Sequence, residues 1–327
     1  MAIDDQVQTK SSPRASDGYV YDQYHTYDDI NSWTFDRANE NPSLVTRNVI
    51  GTSWEGRQIP MLTLQTASDN PAILVDCGFH AREWISPAFC QCYVRQLMDE
   101  YESSSSTSVL NKLTIHVIPV VNVDGYQYTW TNDRLWRKTR SKRAGSVCYG
   151  VDPNRNCDAR WSGPGSSGSP CSETYYGPEK ESEPEVYAVA EFIRNNIGSL
   201  KAYVTFHAYG QMILYPYSYT TDLAATNDNL DYYAVQAYQA VKSAYNTRYI
   251  YGPGAETIYL AAGGSDDFAY DAGVPLSYTI ELRDKGKDGF ILPPDQIAPV
   301  CVETFNLMKV MHQGALDIDA GIIDPVQ

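Results

Sequence analysis

The residues with the clearest chemical potential are His80 and Glu83, which stand three positions apart just after a short apolar run. An imidazole and a carboxylate at this spacing are typical ligands of Zn²⁺, which needs at least one more ligand from elsewhere in the chain. The same pair also arises by chance in surface turns, where the glutamate is simply solvated. The surrounding segments and the rest of the chain must decide between these two interpretations.

The segments around this pair predict that it lies at the edge of a buried sheet. Residues 72–77 form a short, mostly aliphatic run, which is typical of a strand buried in a parallel sheet. Gly78 ends the run, and Ser86 followed by Pro87 predicts the capped start of a helix that continues to about residue 101. The pair is then expected in the loop at the carboxyl end of the strand, where open α/β sheets bind ligands.

Length and composition narrow the class of protein. The 327 residues allow one large domain or two, and we expect one because no linker or internal repeat is evident. No apolar run of 18 residues predicts a membrane span, and residues 1–14 lack the apolar region of a signal peptide. The formal net charge of -15 argues against nucleic acid and anionic membrane as partners.

Segments with strand and helix patterns alternate along the chain, which predicts an α/β sandwich with a mixed sheet. Helices are expected at residues 27–39, 86–101, 182–196, 227–245, 265–271 and 294–316. Strands are expected at residues 45–50, 59–64, 72–77, 113–121, 202–206, 212–215 and 276–282. Residues 122–181 lack periodicity, so we expect a long functional loop there, and a second loop at 249–264.

Seven motifs stand in order along the chain. They are His80–Trp84, Arg134–Arg140, Asp152–Asn156, Thr205–Tyr209, Ile258–Tyr259, Gly263–Asp267 and Glu281–Asp284. Together they resemble the pancreatic-type zinc carboxypeptidases, the B subtype most closely, over about residues 18–316. The resemblance implies a single α/β domain with a mixed eight-stranded β-sheet flanked by α-helices. It also implies a secreted, extracellular enzyme whose zymogen carries a removable pro-domain.

The resemblance also implies a domain organisation and a set of partners. We expect residues 1–17 to be a flexible N-terminal extension, either a plain tail or a remnant of a pro-segment, and residues 18–327 to be the catalytic domain. The implied partners are peptides or proteins with a free C-terminal Lys or Arg, the pro-domain in the precursor, and protein inhibitors. We expect a monomer.

By the resemblance, one Zn²⁺ ion per chain is held by His80, Glu83 and His207. Two nitrogens and a carboxylate leave one position for water, as catalytic zinc sites do. Asp152 corresponds to a carboxylate that orients His80, a role that metal-bound histidines generally need. The alternatives are that His207 is a hydrogen-bonded core histidine and that Asp152 merely precedes Pro153 in a turn.

Glu281 corresponds to the general base, which takes the proton of the zinc-activated water and passes it to the leaving amine. Its alternative is a structural carboxylate paired with Arg283. Arg137 corresponds to the residue that stabilises the oxyanion together with zinc. Its basic neighbours are interpreted as surface charge; they are Arg134, Lys138, Arg140, Lys142 and Arg143.

The remaining matched positions concern the substrate. Asn154 and Arg155 correspond to the pair that grips the terminal carboxylate, for which the planar guanidinium is well suited. Tyr259 corresponds to an aromatic residue that closes over the bound chain end. Further substrate-binding positions are Arg82, Tyr209 and Phe290. Asn156 is assigned a structural role.

By the resemblance, Asp266 corresponds to the position at the base of the specificity pocket that decides the subtype, because an aspartate there suits a Lys or Arg side chain. Gly254 and Ser218 correspond to small residues that leave room for a long side chain. Asp267 is expected to cap the short helix that follows, and the same role is the alternative for Asp266. Two alternatives to B-type hydrolysis stay open: A-type or broad specificity, and an inactive relative that only binds peptide ends.

Seven cysteines are an odd number, so at least one is free or pairs outside the chain. The resemblance implies the disulfides Cys77–Cys90 and Cys148–Cys171. It assigns no partner to Cys92, Cys157 or Cys301, which we expect to be buried free thiols. Disulfides indicate an oxidising compartment.

Overall fold

Eight strands form one mixed sheet in the computed structural model, which describes residues 18–323. They are β1 (Val45–Thr52), β2 (Gln58–Leu64), β3 (Ala72–Cys77), β4 (Thr114–Ile118), β5 (Leu200–Ala208), β6 (Met212–Tyr215), β7 (Ile250–Pro253) and β8 (Leu276–Leu282). Their spatial order is β1-β2-β4-β3-β5-β8-β6-β7. The predicted α/β fold with a mixed eight-stranded sheet is confirmed. The expected extension at residues 1–17 lies outside the described residues, as do residues 324–327.

Eight α-helices accompany the sheet within residues 18–323. They are α1 (Tyr27–Glu40), α2 (Ile85–Ser103), α3 (Val123–Thr131), α4 (Pro184–Asn196), α5 (Asn227–Tyr245), α6 (Gly254–Thr257), α7 (Ser265–Asp271) and α8 (Ile297–Asp319). α8 packs against α2, α5 and the sheet, whereas α1 and α4 pack against β1. No helix in this part of the chain is long and apolar enough to cross a membrane.

The centre of the sheet is parallel, in the order β4-β3-β5-β8, and antiparallel pairs lie toward both ends. All six residues of β3 are buried, as the aliphatic run predicts for a strand covered on both faces. In the β5–β8 pair His207 lies directly opposite Glu281. This register places a candidate metal ligand beside the candidate base.

Three short elements lie in regions that the sequence patterns assign to loops. α3 begins after Asn122, whose Oδ1 accepts a hydrogen bond from the amide of Gly125 at 3.0 Å. That N-cap is a recognisable signal, but Gly125 in the first turn obscures it. The glycine is required, since a Cβ there would lie 2.6 Å from the carbonyl oxygen of Lys138. β7 and α6, four residues each, are too short for a periodic pattern.

Ser86 is not an N-cap, so that expectation is wrong. The helix begins at Ile85, and the Ser86 hydroxyl instead accepts from the amide of Gly78 at 3.0 Å and donates to the carbonyl of Phe206 at 2.5 Å. The buried hydroxyl therefore ties the end of β3 to β5. Several other boundaries differ as well: β4 is shorter than residues 113–121, β5 extends beyond residues 202–206 at both ends, and α8 occupies residues 297–319 rather than 294–316.

Candidate active site

His80, Glu83 and His207, here called the metal triad, converge at the carboxyl ends of β3 and β5. The ligand atoms of all three lie within 4.8 Å of one another, and all three side chains are buried. His80 Nδ1 lies 2.8 Å from Glu83 Oε1, and His207 Nδ1 lies 3.1 Å from Glu83 Oε2. The turn that brings the first two into position uses Gly78 at φ 71°, a left-handed conformation that favours glycine.

The metal triad fits a zinc ion. Both imidazoles turn Nδ1 toward the common centre, where those two nitrogens are 3.1 Å apart, and Glu83 adds a carboxylate. The other ring nitrogen of each histidine is engaged: His80 Nε2 faces Asp152 Oδ1 at 3.1 Å and His207 Nε2 faces Thr205 Oγ1 at 3.3 Å. Two imidazoles and one carboxylate are the donor set of catalytic zinc sites.

The electrostatics of the metal triad keep its carboxylate ionised. Burial alone would raise the pKa of Glu83, but His80 and the hydrogen bond from His207 lower it well below the usual range. Burial lowers the pKa of His80, assisted by the positive charge of Arg137. A deprotonated glutamate and a neutral imidazole are the forms that bind a metal ion.

Arg137 is held beside the metal triad by Asp152. Its Nη2 and Nε lie 2.8 and 3.2 Å from Asp152 Oδ2, and its Nη1 lies 4.0 Å from Glu83 Oε1. Burial opposes ionisation of Asp152, but Arg137 and His80 hold the pKa of that carboxyl well below its ordinary value. Asp152 thus contacts His80 with one oxygen and Arg137 with the other.

Glu281 lies on β8 next to the metal triad and is partly exposed. Burial, followed by the negative charge of Glu83, raises the pKa of Glu281 to about 8. Arg283 is not its partner, because that guanidinium binds Glu303 through Nε at 2.8 Å and Nη2 at 2.5 Å. The structural alternative for Glu281 therefore lacks its expected partner.

A cavity adjoins Glu281, and it is also lined by Asn154, Arg155, Tyr259 and Asp266. Arg155 is buried and fixed by hydrogen bonds from Nε to the carbonyl of Gly165 at 3.0 Å and from Nη1 to that of Asn154 at 2.7 Å. Tyr259 is 53% exposed, so its ring stands at the mouth of the cavity.

Asp266 is only 3% exposed, and its Oδ2 is buried without a hydrogen-bond partner within residues 18–323. Burial raises the pKa of this carboxyl. Ser218 lines the same cavity and touches Gly254, where an added Cβ would lie 2.0 Å from the Ser218 hydroxyl oxygen. A larger residue at position 254 would therefore collide with this wall of the cavity.

Asp267 does not cap its own helix, which corrects the expectation. Its carboxylate accepts hydrogen bonds from the amides of Ser218 at 2.9 Å and Tyr219 at 3.1 Å. The neighbouring aspartates of α7 thus differ in role. Asp267 holds the wall of the cavity in place, while Asp266 faces its interior.

Arg82, Tyr209 and Phe290 form one cluster beside the site. The Arg82 guanidinium lies 4.2 Å from the Phe290 ring centroid, and the Phe290 and Tyr209 rings meet edge to face at 4.9 Å. Arg134 supports this cluster by donating to the carbonyls of Arg82 at 2.8 Å and Phe290 at 2.6 Å. Sequence reasoning missed this supporting role, since nothing in the local pattern distinguishes Arg134 from its basic neighbours.

The interpretation of the basic segment as surface charge is wrong for most of its members. Arg134 is buried with its guanidinium 3.7 Å from the Trp84 ring centroid, and Lys138 is buried with Nζ donating to the carbonyl of Pro170 at 2.7 Å. Arg143 forms an ion pair with buried Glu183. These contacts hold much of the segment within the fold.

Three disulfides are present within the described residues. Cys77–Cys90 and Cys148–Cys171 are the expected pairs, and Cys92–Cys301 is a third. The expectation of free thiols at Cys92 and Cys301 is therefore wrong. The two lie 209 residues apart in sequence, and only the packing of α2 against α8 brings them together. Cys157 is a buried free thiol, as expected.

Comparisons with known proteins agree with this geometry. A family profile described as zinc carboxypeptidase matches residues 30–307. Carboxypeptidase B from Homo sapiens is 51% identical over 314 residues, which cover 95% of this chain and 75% of that protein. Carboxypeptidase B from Bos taurus is 52% identical over 302 residues, which cover 92% of this chain and 72% of that protein.

A solved structure, that of bovine thrombin-activatable fibrinolysis inhibitor in complex with tick carboxypeptidase inhibitor, superimposes with a TM-score of 0.87. It shares 43% sequence identity and covers 91% of this chain and 99% of that chain. The α/β fold with its buried histidine and glutamate cluster defines a metallohydrolase. The chain belongs to the zinc carboxypeptidase family and is a metallocarboxypeptidase.

Proposed function

We propose that this metallocarboxypeptidase removes C-terminal lysine or arginine from peptides and proteins, with one zinc ion held by the metal triad. The observation that carries the proposal is the unpaired Oδ2 of Asp266, which is buried in the cavity that also contains Glu281. A buried carboxylate oxygen without a partner is costly. A cationic side chain entering the cavity would supply the missing partner.

The negative charge available in the cavity favours a basic C-terminal residue of the substrate over an apolar one. Burial raises the pKa of Asp266, because the ionised carboxylate is largely removed from water. A lysine ammonium or arginine guanidinium would stabilise the ionised form, whereas a phenylalanine ring would leave it unpaired. Ser218 and Gly254 support the proposal by keeping the wall of the cavity free of bulky side chains. These features do not distinguish lysine from arginine.

Two groups are suited to hold the terminal carboxylate of the substrate. Arg155 uses Nε and Nη1 for backbone contacts, while its Nη2 makes no hydrogen bond within residues 18–323. Asn154 is fixed by accepting from the amide of Ser265 through Oδ1 at 3.0 Å, which leaves its side-chain NH₂ group for a ligand. A site that requires a free carboxylate acts only at chain ends.

The remaining side chains fit amide hydrolysis. When bound, zinc polarises the scissile carbonyl and lowers the pKa of water toward about 7. The positive charge of the bound ion would lower the raised pKa of Glu281, so that its carboxylate could accept a proton from water and return it to the leaving amine. Arg137 is fixed by Asp152 and would donate hydrogen bonds to the negative charge that develops on the carbonyl oxygen.

The compartment and the protein partners are proposed on similar grounds. Three disulfides favour secretion into an oxidising environment. Because a relative that is 43% identical binds tick carboxypeptidase inhibitor, we include protein inhibitors among the partners. A pro-domain in the precursor rests on the family resemblance alone.

Specificity is tested with four peptides that are identical except for a C-terminal Arg, Lys, Phe or arginine amide. We expect kcat/KM for the Arg and Lys peptides to exceed that for Phe by about 100-fold, because the Phe peptide leaves Asp266 unpaired. The amide should not be cleaved. Faster release of Phe would indicate A-type specificity, and binding of the acids without hydrolysis would indicate an inactive relative.

A further inference from the structure

A second concave site lies outside the active site. This cavity of about 420 Å³, here called the Arg140 cavity, has walls that include Tyr128, Trp136, Lys138, Arg140, Val147 and Glu173. It shares no lining residue with the cavity at Asp266. No residue proposed to act in hydrolysis or to bind the terminal carboxylate lines this cavity.

The Arg140 guanidinium is held in place by aromatic rings rather than by acceptors. Its central carbon lies 3.6 Å from the ring centroid of Tyr128, 4.4 Å from that of Trp136 and 4.9 Å from that of Tyr149. Its Nε is buried without a hydrogen-bond partner among the described residues, and none of their carboxylates pairs with it. By contrast, Arg143 three positions on is neutralised by Glu183.

An arginine fixed in this way is prepared for an anionic ligand. The rings restrict its rotamers, so little side-chain entropy remains to be lost on binding. The planar fork of N–H donors matches a carboxylate, which can accept two parallel hydrogen bonds. Arg140 Nε has no hydrogen-bond acceptor among the described residues, and the carboxylate of a ligand would supply one.

The charges around the cavity favour the same class of ligand. Lys138 adds a second cation to the wall, and Lys142 lies nearby with Nζ 5.5 Å from the Tyr149 ring centroid. The acidic wall residue Glu173 is directed toward Arg82, whose Nη1 lies 3.4 Å away. A positive cavity in a chain of net charge -15 is complementary to an acidic partner.

Part of the cavity rim is apolar. Val147 is 91% exposed, and the Cys148–Cys171 disulfide lies in the wall beside it. We propose that the Arg140 cavity binds a glutamate or aspartate side chain of an acidic protein segment, with an apolar neighbour of that residue packing on Val147. This exosite shares no lining residue with the cavity at Asp266.

The probe is a fluorescein-labelled, C-terminally amidated Glu-Leu-Glu-Leu peptide, which cannot enter the active site as a free chain end. Its binding to the zinc-loaded enzyme is measured by fluorescence anisotropy at 50 and 150 mM salt, beside the matched Gln-Leu-Gln-Leu peptide. We expect the acidic peptide to bind about tenfold more tightly. Arg140→Gln should remove that difference, while circular dichroism reports that the variant is folded.

Arg248→Gln is the control, because it removes the same charge from an exposed arginine outside the cavity. It should leave binding of the acidic peptide unchanged. Val147→Glu is a second variant at a position too exposed to disturb the fold, and it should weaken binding severalfold by like-charge repulsion. Equal binding of both peptides, or equal losses in Arg140→Gln and Arg248→Gln, would overturn the proposal. So would binding of a heparin hexasaccharide that depends on Arg140 while the acidic peptide does not bind.

Discussion

The metal triad lies next to the cavity lined by Asp266 and Glu281, here called the Asp266 pocket. The two regions differ in whether their buried polar atoms have hydrogen-bond partners. In the metal triad Glu83 contacts both histidines, and each histidine has a further partner on its other ring nitrogen. In the pocket the Oδ2 of Asp266 has no partner within residues 18–323. The polar groups of the metal triad satisfy one another, whereas the carboxylate of Asp266 keeps one oxygen unpaired within residues 18–323.

This difference in pairing matches the separate roles proposed for the two regions, catalysis for the metal triad and substrate specificity for the Asp266 pocket. Because the groups of the metal triad orient one another, its geometry does not depend on which residue ends the substrate. An unpaired buried carboxylate oxygen costs about 1–3 kcal/mol, so the pocket gains most from a ligand that removes this cost. Changes in the metal triad or at Glu281 should therefore affect all substrates equally, whereas changes at Asp266 should affect them selectively.

Glu185 shows that an unpaired oxygen alone does not make a binding site. It is buried in the first turn of α4, and its Oε2 also lacks a partner among the described residues. It lines neither the Asp266 pocket nor the Arg140 cavity. The role proposed for Asp266 therefore rests also on the cavity that it lines, which would give a ligand access to the carboxylate.

The largest effect is expected from metal removal. Treatment with 1,10-phenanthroline should lower kcat for Arg- and Phe-ending peptides alike by about 10⁴-fold, since the metal supplies several kcal/mol of transition-state stabilisation. Added Zn²⁺ should restore turnover. The far-UV circular dichroism should stay unchanged, because the metal triad is cross-linked by its own hydrogen bonds. Unchanged turnover after chelation would refute the metal mechanism.

Replacing the candidate base should have the next largest effect. Glu281→Gln keeps the shape of the side chain but cannot accept the proton, so kcat should fall by about 10³-fold on every peptide. The zinc content per chain, measured by atomic absorption, should equal that of the wild type because Glu281 is outside the metal triad. A loss confined to one class of terminal residue would place Glu281 in specificity instead.

Asp266→Asn should separate the two regions most clearly. It removes the negative charge, so kcat/KM for Arg-ending peptides should fall by about 10²-fold while that for Phe-ending peptides stays level or rises. Asp271→Asn is the matched control, since Asp271 lies in the same helix α7 and does not line the cavity. If the ratio of Arg to Phe hydrolysis were unchanged, Asp266 would not contact the substrate.

The smallest effect concerns stability. Burial, followed by Glu183 and Asp124, raises the pKa of Glu185 to about 8. The folded protein therefore keeps a proton that the unfolded chain releases near its ordinary pKa, and stability is lost as pH rises from about 4.5 to 8. Glu185→Gln should raise the free energy of unfolding at pH 8.5 by about 1–2 kcal/mol and change it little at pH 4.5.

Urea unfolding of both proteins at these two pH values measures this difference, and the Arg to Phe ratio serves as the functional control. The ratio should not change, because Glu185 is remote from the substrate. A gain in stability that is equal at both pH values would show that Glu185 is ionised throughout, contrary to the raised pKa.

Local patterns predicted much of the fold. The helices at residues 227–245 and 265–271 and the strands at 212–215 and 276–282 have the predicted boundaries. The periodicity and terminal residues of these elements are local properties, so the elements can be predicted without knowledge of the rest of the chain. Ser86 illustrates the limit, because its hydroxyl meets the sequence criterion for a cap but is used by Phe206, 120 residues away.

The candidate site was likewise predictable from local patterns only in part. The motif at His80 and Glu83, and the resemblance that added His207, identified the metal triad before any geometry was known. The residues that surround it were not identifiable, because the buried positions of Arg134 and Lys138 depend on contacts with distant segments. The Cys92–Cys301 pair was missed for a related reason, since its two helices are separated by most of the chain.

The sequence by itself determined which chemistry is available here: two imidazoles, two carboxylates and an arginine in motifs whose types and order specify a metal-dependent hydrolase. Only the tertiary structure decided that Glu281 stands opposite His207 in the sheet, and that one aspartate of α7 faces a cavity while the next binds backbone amides. Side-chain type is a property of the residue. Register and burial are properties of the packed sheet, because they arise from contacts between segments far apart in sequence.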